Sequence, residues 1–218
     1  MRKDLLLENA LVTWDGSDAP EQLQYGQILP EEGRVLRETA REVPAGQVII
    51  EVGSYTGKST CCLARGSFEG QYVPVYAVDL WTAGTSRKGR NFRVLQPDEQ
   101  VGKSKFHLPE VLAVFRRRME VYGDVLVHEC MGASVAEAAI FPIQRPCGLL
   151  FIDAEHTYEA CRADFEAWSP KVAAGGVIML HDYKGTGDGG VKRYIDEVIL
   201  EGGWHIREVV GSLVVLGS

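Results

Sequence analysis

The sequence has no apolar run approaching the ~18 residues that a membrane-spanning helix needs. Its amino terminus starts basic but offers only three consecutive leucines, Leu5–Leu7, too few for the core of a secretory signal. Cysteine is sparse: Cys61, Cys62, Cys130, Cys147 and Cys161, an odd number with no CxxC pair. That spacing argues against a zinc site and for reduced, mostly buried thiols in a cytoplasmic protein. Positive charge is also short, with 23 Lys and Arg against 30 Asp and Glu, a net −7. Phosphate repels such a surface, so neither nucleic acid nor an anionic membrane is an expected partner. Internal repeats and low-complexity linkers are missing too. One domain over 1–218 is therefore expected, with an N-terminal cap region (1–47) and an insert over 82–107.

What is present is alternation. "PEEGRVLRETAREV", from Pro30, has proline and glutamates in its first turn and apolar residues at Val35, Leu36 and Ala40, the marks of an amphipathic helix. "QVIIEV" is a β-branched strand. A helix follows Gly57, then a strand "VPVYAVDL" ending near Asp79. After the polar stretch 82–107 come a helix from Leu108, a strand "DVLVHEC", a short helix "SVAEAAIF" and a strand "CGLLFID". The next helix carries Tyr158, Cys161, Phe165 and Trp168 on one face. A strand "GGVIMLHDY", a helix "GVKRYIDEVILEG" and a closing pair of strands, "HIREVVG" and "SLVVLGS", complete the chain. Strands alternating with helices imply a parallel sheet covered on both faces. Ligands in such sheets bind beyond the carboxyl ends of the strands. Those ends carry Glu51–Gly53, Asp79, the 132–134 turn, Asp153–His156 and His181–Asp182.

The stretch "EVGSYTGKST" (51–60) ends like a phosphate-binding P-loop. That loop needs four residues between its first glycine and the Gly-Lys, and Gly53 and Gly57 enclose only three. A shorter loop cannot wrap its amides around a phosphate in the same way, which leaves Lys58 as a solvated first-turn lysine. A dinucleotide site needs a second glycine where Tyr55 stands, although Asp79 lies at the right distance for a ribose contact. Glu51-x-Gly53-x-x-x-Gly57, with Asp79 at the next strand end, resembles instead the first motif of class I S-adenosylmethionine (SAM)-dependent methyltransferases. Glu51 suits the ammonium end of that ligand, directly or through water. Gly53 would let the ligand lie on the backbone, Gly57 would permit the turn into the helix, and Asp79 would accept bonds from both ribose hydroxyls.

The likeness extends over about 30–200. "IDAEHTYEACRADFEAW" and "GGVIMLHDY" are similar to the family holding the macrolide and aminocoumarin sugar O-methyltransferases and cephalosporin-hydroxylase-like proteins. It implies a Rossmann-like α/β fold with a mostly parallel seven-stranded sheet in the order 3-2-1-4-5-7-6. It implies a SAM site formed by Glu51, Gly53, Ser54, Tyr55, Gly57, Ser59, Asp79, Leu80, Ala133, Ser134 and Asp153. Ser134 reads either as an adenine contact or as the cap of its helix, and Tyr55 and Trp81 read either as pocket lining or as core.

In the same resemblance Asp153 and an acidic pair after the fifth strand hold a divalent metal. Here the pair is His181-Asp182, so the ligand set becomes Asp153, His181 and Asp182. Oxygen ligands favour Mg²⁺, and the histidine shifts preference toward Mn²⁺. The alternative is that these aspartates only cap helices or bind loop amides. His156 is the candidate general base beside catalytic Asp153; its bland alternative is a structural hydrogen bond at a helix start. The acceptor would be a hydroxyl of a small molecule, a sugar or polyol. Arg87, Lys88, Arg90 and Arg93 of 82–107 are available to an anionic acceptor group if that stretch is a lid; otherwise it is a solvated loop. Competing readings are a metal-independent methyltransferase on another acceptor, an NAD-dependent oxidoreductase, an ATPase and a binding-only protein. A homo-oligomer is compatible with all of them.

Overall fold

The computed structural model describes residues 28–81, 85–88, 91–94, 108–142, 144–184 and 189–217. Pro30 and the glutamates start helix α1 (Pro30–Glu42) as expected, and Glu32 reaches back to accept the Leu29 amide at 2.8 Å. Next come β1 (Val48–Val52), α2 (Lys58–Glu69), β2 (Val75–Asp79), a ribbon of β3 (Thr85–Lys88) and β4 (Asn91–Val94), and α3 (Leu108–Met119). Then follow β5 (Val127–Met131), α4 (Ser134–Ile140), β6 (Cys147–Ile152), α5 (Tyr158–Trp168) and β7 (Val172–Leu180). Helix α6 (Gly190–Tyr194) runs into a π-turn over Ile195–Ile199, before β8 (His205–Val210) and β9 (Leu213–Gly217).

The main sheet has the strand order β5-β2-β1-β6-β7-β9-β8, parallel except for β9, which runs antiparallel to β7 and β8. Counting the strands of this sheet alone, the order is 3-2-1-4-5-7-6, as expected. The closing antiparallel pair is present. The antiparallel β3–β4 ribbon is a structure that periodicity did not reveal, because β3 is wholly polar and the Phe92–Val94 alternation of β4 spans only four residues. The remainder of 82–107, and with it Arg90, lies outside the described residues, as do 1–27.

Successive side chains of β1 and β6 point to opposite faces. Ile49, Leu149 and Phe151 join Leu36, Leu63 and Phe115 on the side of α1–α3. Ile50, Leu150 and Ile152 join Trp168, Tyr194 and Ile195 on the side of α4–α6. Every β1 and β6 position is buried, because helices cover both faces of a central parallel strand. Among the described residues no helix is long and apolar enough to cross a membrane.

This packing fixes the register, and the register places the site. Val78, Val52, Ile152 and Leu180 are partners in one row across β2, β1, β6 and β7. The ladder continues one step beyond. Gly53 N–H donates to Val78 O (2.8 Å), Asp153 N–H to Val52 O (2.8 Å) and His181 N–H to Ile152 O (3.0 Å). Asp79, Gly53, Asp153 and His181 therefore sit level along one edge.

Candidate cofactor and metal site

The loop after β1 is built around a buried carboxyl. Glu51 is fully buried, and its Oε2 accepts the Ser54 hydroxyl (2.7 Å) and that of Thr60. Its Oε1 has no hydrogen-bond partner among the described residues. Burial pushes the Glu51 carboxyl up to about 7, against the pull of the Ser59, Thr60 and Ser54 hydroxyls. An orphaned buried oxygen costs about 1–3 kcal/mol, so this atom calls for a donor. Gly53 has φ +93°, and a Cβ there would meet the Asp153 carbonyl oxygen at 2.2 Å. The space that glycine leaves at this point is taken by the chain after β6, so its stronger requirement is the close approach of two strand ends. Gly57 takes φ +82° as the N-cap of α2, the turn expected of it. Lys58, expected to be solvated, is half-buried, and burial lowers its pKa.

Asp79 is oriented by backbone amides. Its Oδ2 accepts Tyr55 N–H (2.8 Å) and its Oδ1 accepts Trp81 N–H (3.0 Å). Burial nonetheless raises its pKa. Trp81 donates Nε1–H to the Tyr55 carbonyl (2.7 Å) and packs on Phe115, with ring centroids 4.4 Å apart. It is a core residue that ties the β2 end to the β1 loop, whereas Tyr55 is exposed at the surface. Leu80 is half-buried beside Asp79. Tyr55 (φ 47°), Trp81 (φ 34°) and Asp182 (φ 60°) hold left-handed backbone conformations at three strand ends; for the bulky Tyr55 and Trp81 this is a local strain, whereas aspartate adopts it readily.

Ser134 does not cap α4. The N-cap is Ala133, with no side-chain cap bond. The Ser134 oxygen accepts Trp168 Nε1–H at 2.9 Å, and its hydroxyl bonds the buried Asp164. Packing of α4 on α5 thus occupies the hydroxyl, and the exposed Ala133 is left at the sheet edge. All five cysteines are free, and burial pushes Cys61, Cys62, Cys147 and Cys161 up to about 12 and Cys130 up to about 11. None is a thiolate nucleophile near neutral pH.

Beyond β6 and β7 lies the charged cluster. Asp153, His181 and Asp182 each bring one ligand-type atom within 4.8 Å of the others. His181 Nδ1 lies 3.4 Å from Asp153 Oδ1 and 3.6 Å from Asp182 Oδ2. His156 places Nδ1 at 2.9 Å from Asp182 Oδ2 and Nε2 at 3.6 Å from Asp153 Oδ1. These carboxylates hold the His156 proton tightly, raising its pKa to about 10. In return the hydrogen bonds from His156 and His181 bring Asp182 well below the carboxylate range.

Two participants escape a sequence reading. Glu32 of α1 is fully buried, and its Oε2 faces His181 Nε2 at 3.1 Å. Ser212, at the β8–β9 turn, donates its amide (2.8 Å) and hydroxyl (3.1 Å) to Glu32 Oε1. Burial alone would raise the Glu32 pKa, but these bonds bring it down to about 2. The local sequence marks Glu32 only as a helix-start glutamate. Its partner is 149 residues away.

The donor set of Asp153, His181 and Asp182 fits a divalent cation, because two carboxylate oxygens and one imidazole nitrogen converge. The imidazole is backed on its far side by a carboxylate, as metal-ligating histidines commonly are. The orphaned Glu51 Oε1 and the amide-oriented Asp79 fit a cationic, ribose-bearing cofactor.

The chain matches known proteins in family and in fold. The family described as "Methyltransferase domain" matches residues 50–183. A protein designated y4gI from Sinorhizobium fredii is 27% identical over 135 residues, 62% of this chain. The matched part spans 13% of that relative's length. Among solved structures, the O-methyltransferase from Bacillus cereus in complex with SAH has a TM-score of 0.60 at 18% identity, covering 99% of this chain and 91% of the other. The O-methyltransferase NovP has a TM-score of 0.64 at 16% identity (95% and 87% covered). CalS11, a calicheamicin methyltransferase also described as a TDP-rhamnose 3′-O-methyltransferase, has a TM-score of 0.62 at 14% identity (98% and 91% covered). The chain belongs to the methyltransferase-domain family and carries the Rossmann-like fold of the class I SAM-dependent methyltransferases.

Proposed function

We propose that the chain transfers a methyl group from SAM to a hydroxyl of a small molecule, a sugar or polyol, with a divalent cation held by Asp153, His181 and Asp182. The observation that carries this reading is the meeting of the two clusters. The Asp153 carbonyl occupies the space that Gly53 leaves open, so the charged group adjoins the loop assigned to the cofactor. Bound SAM supplies the electrophilic methyl. Glu51 Oε1 receives a donor from the cofactor's ammonium side, and Asp79 binds ribose hydroxyls while the Tyr55 and Trp81 amides hold it still. Tyr55, Gly57, Ser59, Leu80, Ala133 and Ser134 line the remainder, Ser134 by its backbone.

His156 is the base. Its side chain is 48% exposed, so an acceptor can reach it, and Asp182 fixes its ring. In the bare cluster it stays protonated at neutral pH, which is the wrong state for a base. Asp153 and Asp182 would hold a cation whose charge would offset both carboxylates, so that His156 would return toward its ordinary pKa; the ion would also supply polarisation of the acceptor hydroxyl. The likeness to NovP and CalS11 supports a sugar-type acceptor. Chelation with EDTA is expected to suppress methyl transfer and Mg²⁺ or Mn²⁺ to restore it. One observation favours the metal-independent alternative, since the two imidazolium groups already compensate the carboxylates. Turnover indifferent to EDTA would decide for that alternative.

A further inference from the structure

We propose that Glu32, from the N-terminal helix, is a positioning residue that fixes the His181 tautomer and turns its Nδ1 lone pair toward Asp153 and Asp182. This rests on the metal-assisted reading above. Glu32 is an acceptor with all its capacity aimed at donors: Oε2 takes Leu29 N–H and faces His181 Nε2, and Oε1 takes the Ser212 amide and hydroxyl. The Ser212 hydroxyl oxygen also lies 3.0 Å from His181 Nε2. With its own proton given to Glu32, it too can only accept from the ring. Nε2 therefore meets two acceptors and must carry a hydrogen.

In the ion-free cluster, against the pull of burial, the surrounding carboxylates raise the His181 pKa; when a cation replaces the second proton, the neutral ring has its lone pair on Nδ1. That lone pair faces two carboxylate oxygens at 3.4 and 3.6 Å. Both distances exceed the usual 2.7–3.2 Å of an N–H···O bond. A divalent cation shared by these atoms would draw them in to the ~3.0 Å edges of an octahedral ligand sphere at ~2.1 Å. The three ligand atoms lie within 4.8 Å of one another, a spacing that admits a cation between them. His181 is 5% exposed and Glu32 is not exposed, so water cannot substitute for the carboxylate behind the ring. Helix α1, and through Ser212 the β8–β9 turn, thus become part of the ligand sphere's support.

Glu32→Gln reverses one donor–acceptor match. Its amide N–H₂ must face either His181 Nε2 or the Ser212 donors. Facing Nε2, it drives the ring to carry its proton on Nδ1, pointing into the cation position; facing Ser212, it sets donor against donor and pushes the β8–β9 turn away from the ring. Mn²⁺ affinity of the full chain, followed by electron paramagnetic resonance, is expected to fall about 10–100-fold in Glu32→Gln. SAM affinity, measured by calorimetry, should be retained as the sign of an intact fold. Asp153→Asn is the companion variant. If Asp153→Asn loses Mn²⁺ and Glu32→Gln keeps it at wild-type affinity, the positioning role is wrong and the metal reading stands. If both keep it, the metal reading fails and takes this inference with it. A readout in the wild type covers the case in which Glu32→Gln does not fold. In ¹⁵N spectra of histidine-labelled protein titrated with Zn²⁺, the Nδ1 resonance of His181 should move while Nε2 retains its proton. Movement of Nε2 instead would overturn the proposal.

Discussion

The β1–β2 edge and the β6–β7 edge are neighbours built by opposite means. The first is local. Glu51, Gly53, Gly57 and Asp79 come from one β-α-β unit, and their partners are hydroxyls and amides of the same loops. Burial leaves its acid Glu51 half-neutral near pH 7. The second is assembled from α1, β6, β7 and the β8–β9 turn, and its partners are full charges. A pocket for a bulky cationic ligand needs space and one orphaned acceptor. A site for a small cation needs several anions brought close, each prevented from collapsing onto the others. Here the imidazoles do that separating.

Each region can be broken separately, and the largest effect is expected at the charged edge. His156→Ala should lower kcat about 10²–10⁴-fold with SAM affinity unchanged; an unaltered kcat removes it as the base. At the local edge, Gly53→Ala places a methyl on the Asp153 backbone at positive φ, costing about 2–5 kcal/mol. Its urea midpoint should drop accordingly, and a wild-type midpoint would show that the two strand ends do not need this approach.

A smaller effect sharpens the electrostatic contrast. The charged Glu51 carboxylate is the form that attracts an ammonium group, so SAM affinity should rise as pH increases through about 7. Glu51→Gln should flatten that profile, with a loss of about 1.5–3 kcal/mol at high pH. The stability consequence has the opposite sign. A carboxyl raised from 4.5 to about 7 in the fold stabilises below pH 4.5 and loses that contribution as pH rises through 7. Cofactor-free protein should therefore unfold more easily at pH 8 than Glu51→Gln does. For His156 the raised pKa gives stability that is present below 6.5 and lost as pH rises through about 10, a loss confined to the charged edge. The smallest effect is Ser134→Ala, which removes the hydroxyl that accepts Trp168 Nε1–H and should cost about 1 kcal/mol by thermal unfolding, with kcat preserved.

The same contrast explains what could be read from residues alone. Strand and helix placement followed from apolar periodicity, and the spacing 51-53-57-79 pointed to one edge because local loops obey local geometry. Asp153, His156 and Asp182 were legible as strand-end polar residues. Glu32 and Ser212 were not, since nothing in a helix-start glutamate announces a partner in the last third of the chain. Ser134 misled because serine at a helix start usually caps, and here Trp168 and Asp164 take its hydroxyl. Trp81 left two readings open, which packing against Phe115 resolves. The β3–β4 ribbon is signalled by no more than Phe92 and Val94, too short an alternation beside a wholly polar β3.

The most direct test of the whole account is calorimetric titration of the full chain with SAM, ATP and NAD in turn, repeated with Asp79→Ala. The account predicts that SAM binds, that Asp79→Ala weakens it severely, and that ATP and NAD do not compete. Tight ATP binding without SAM binding would contradict it.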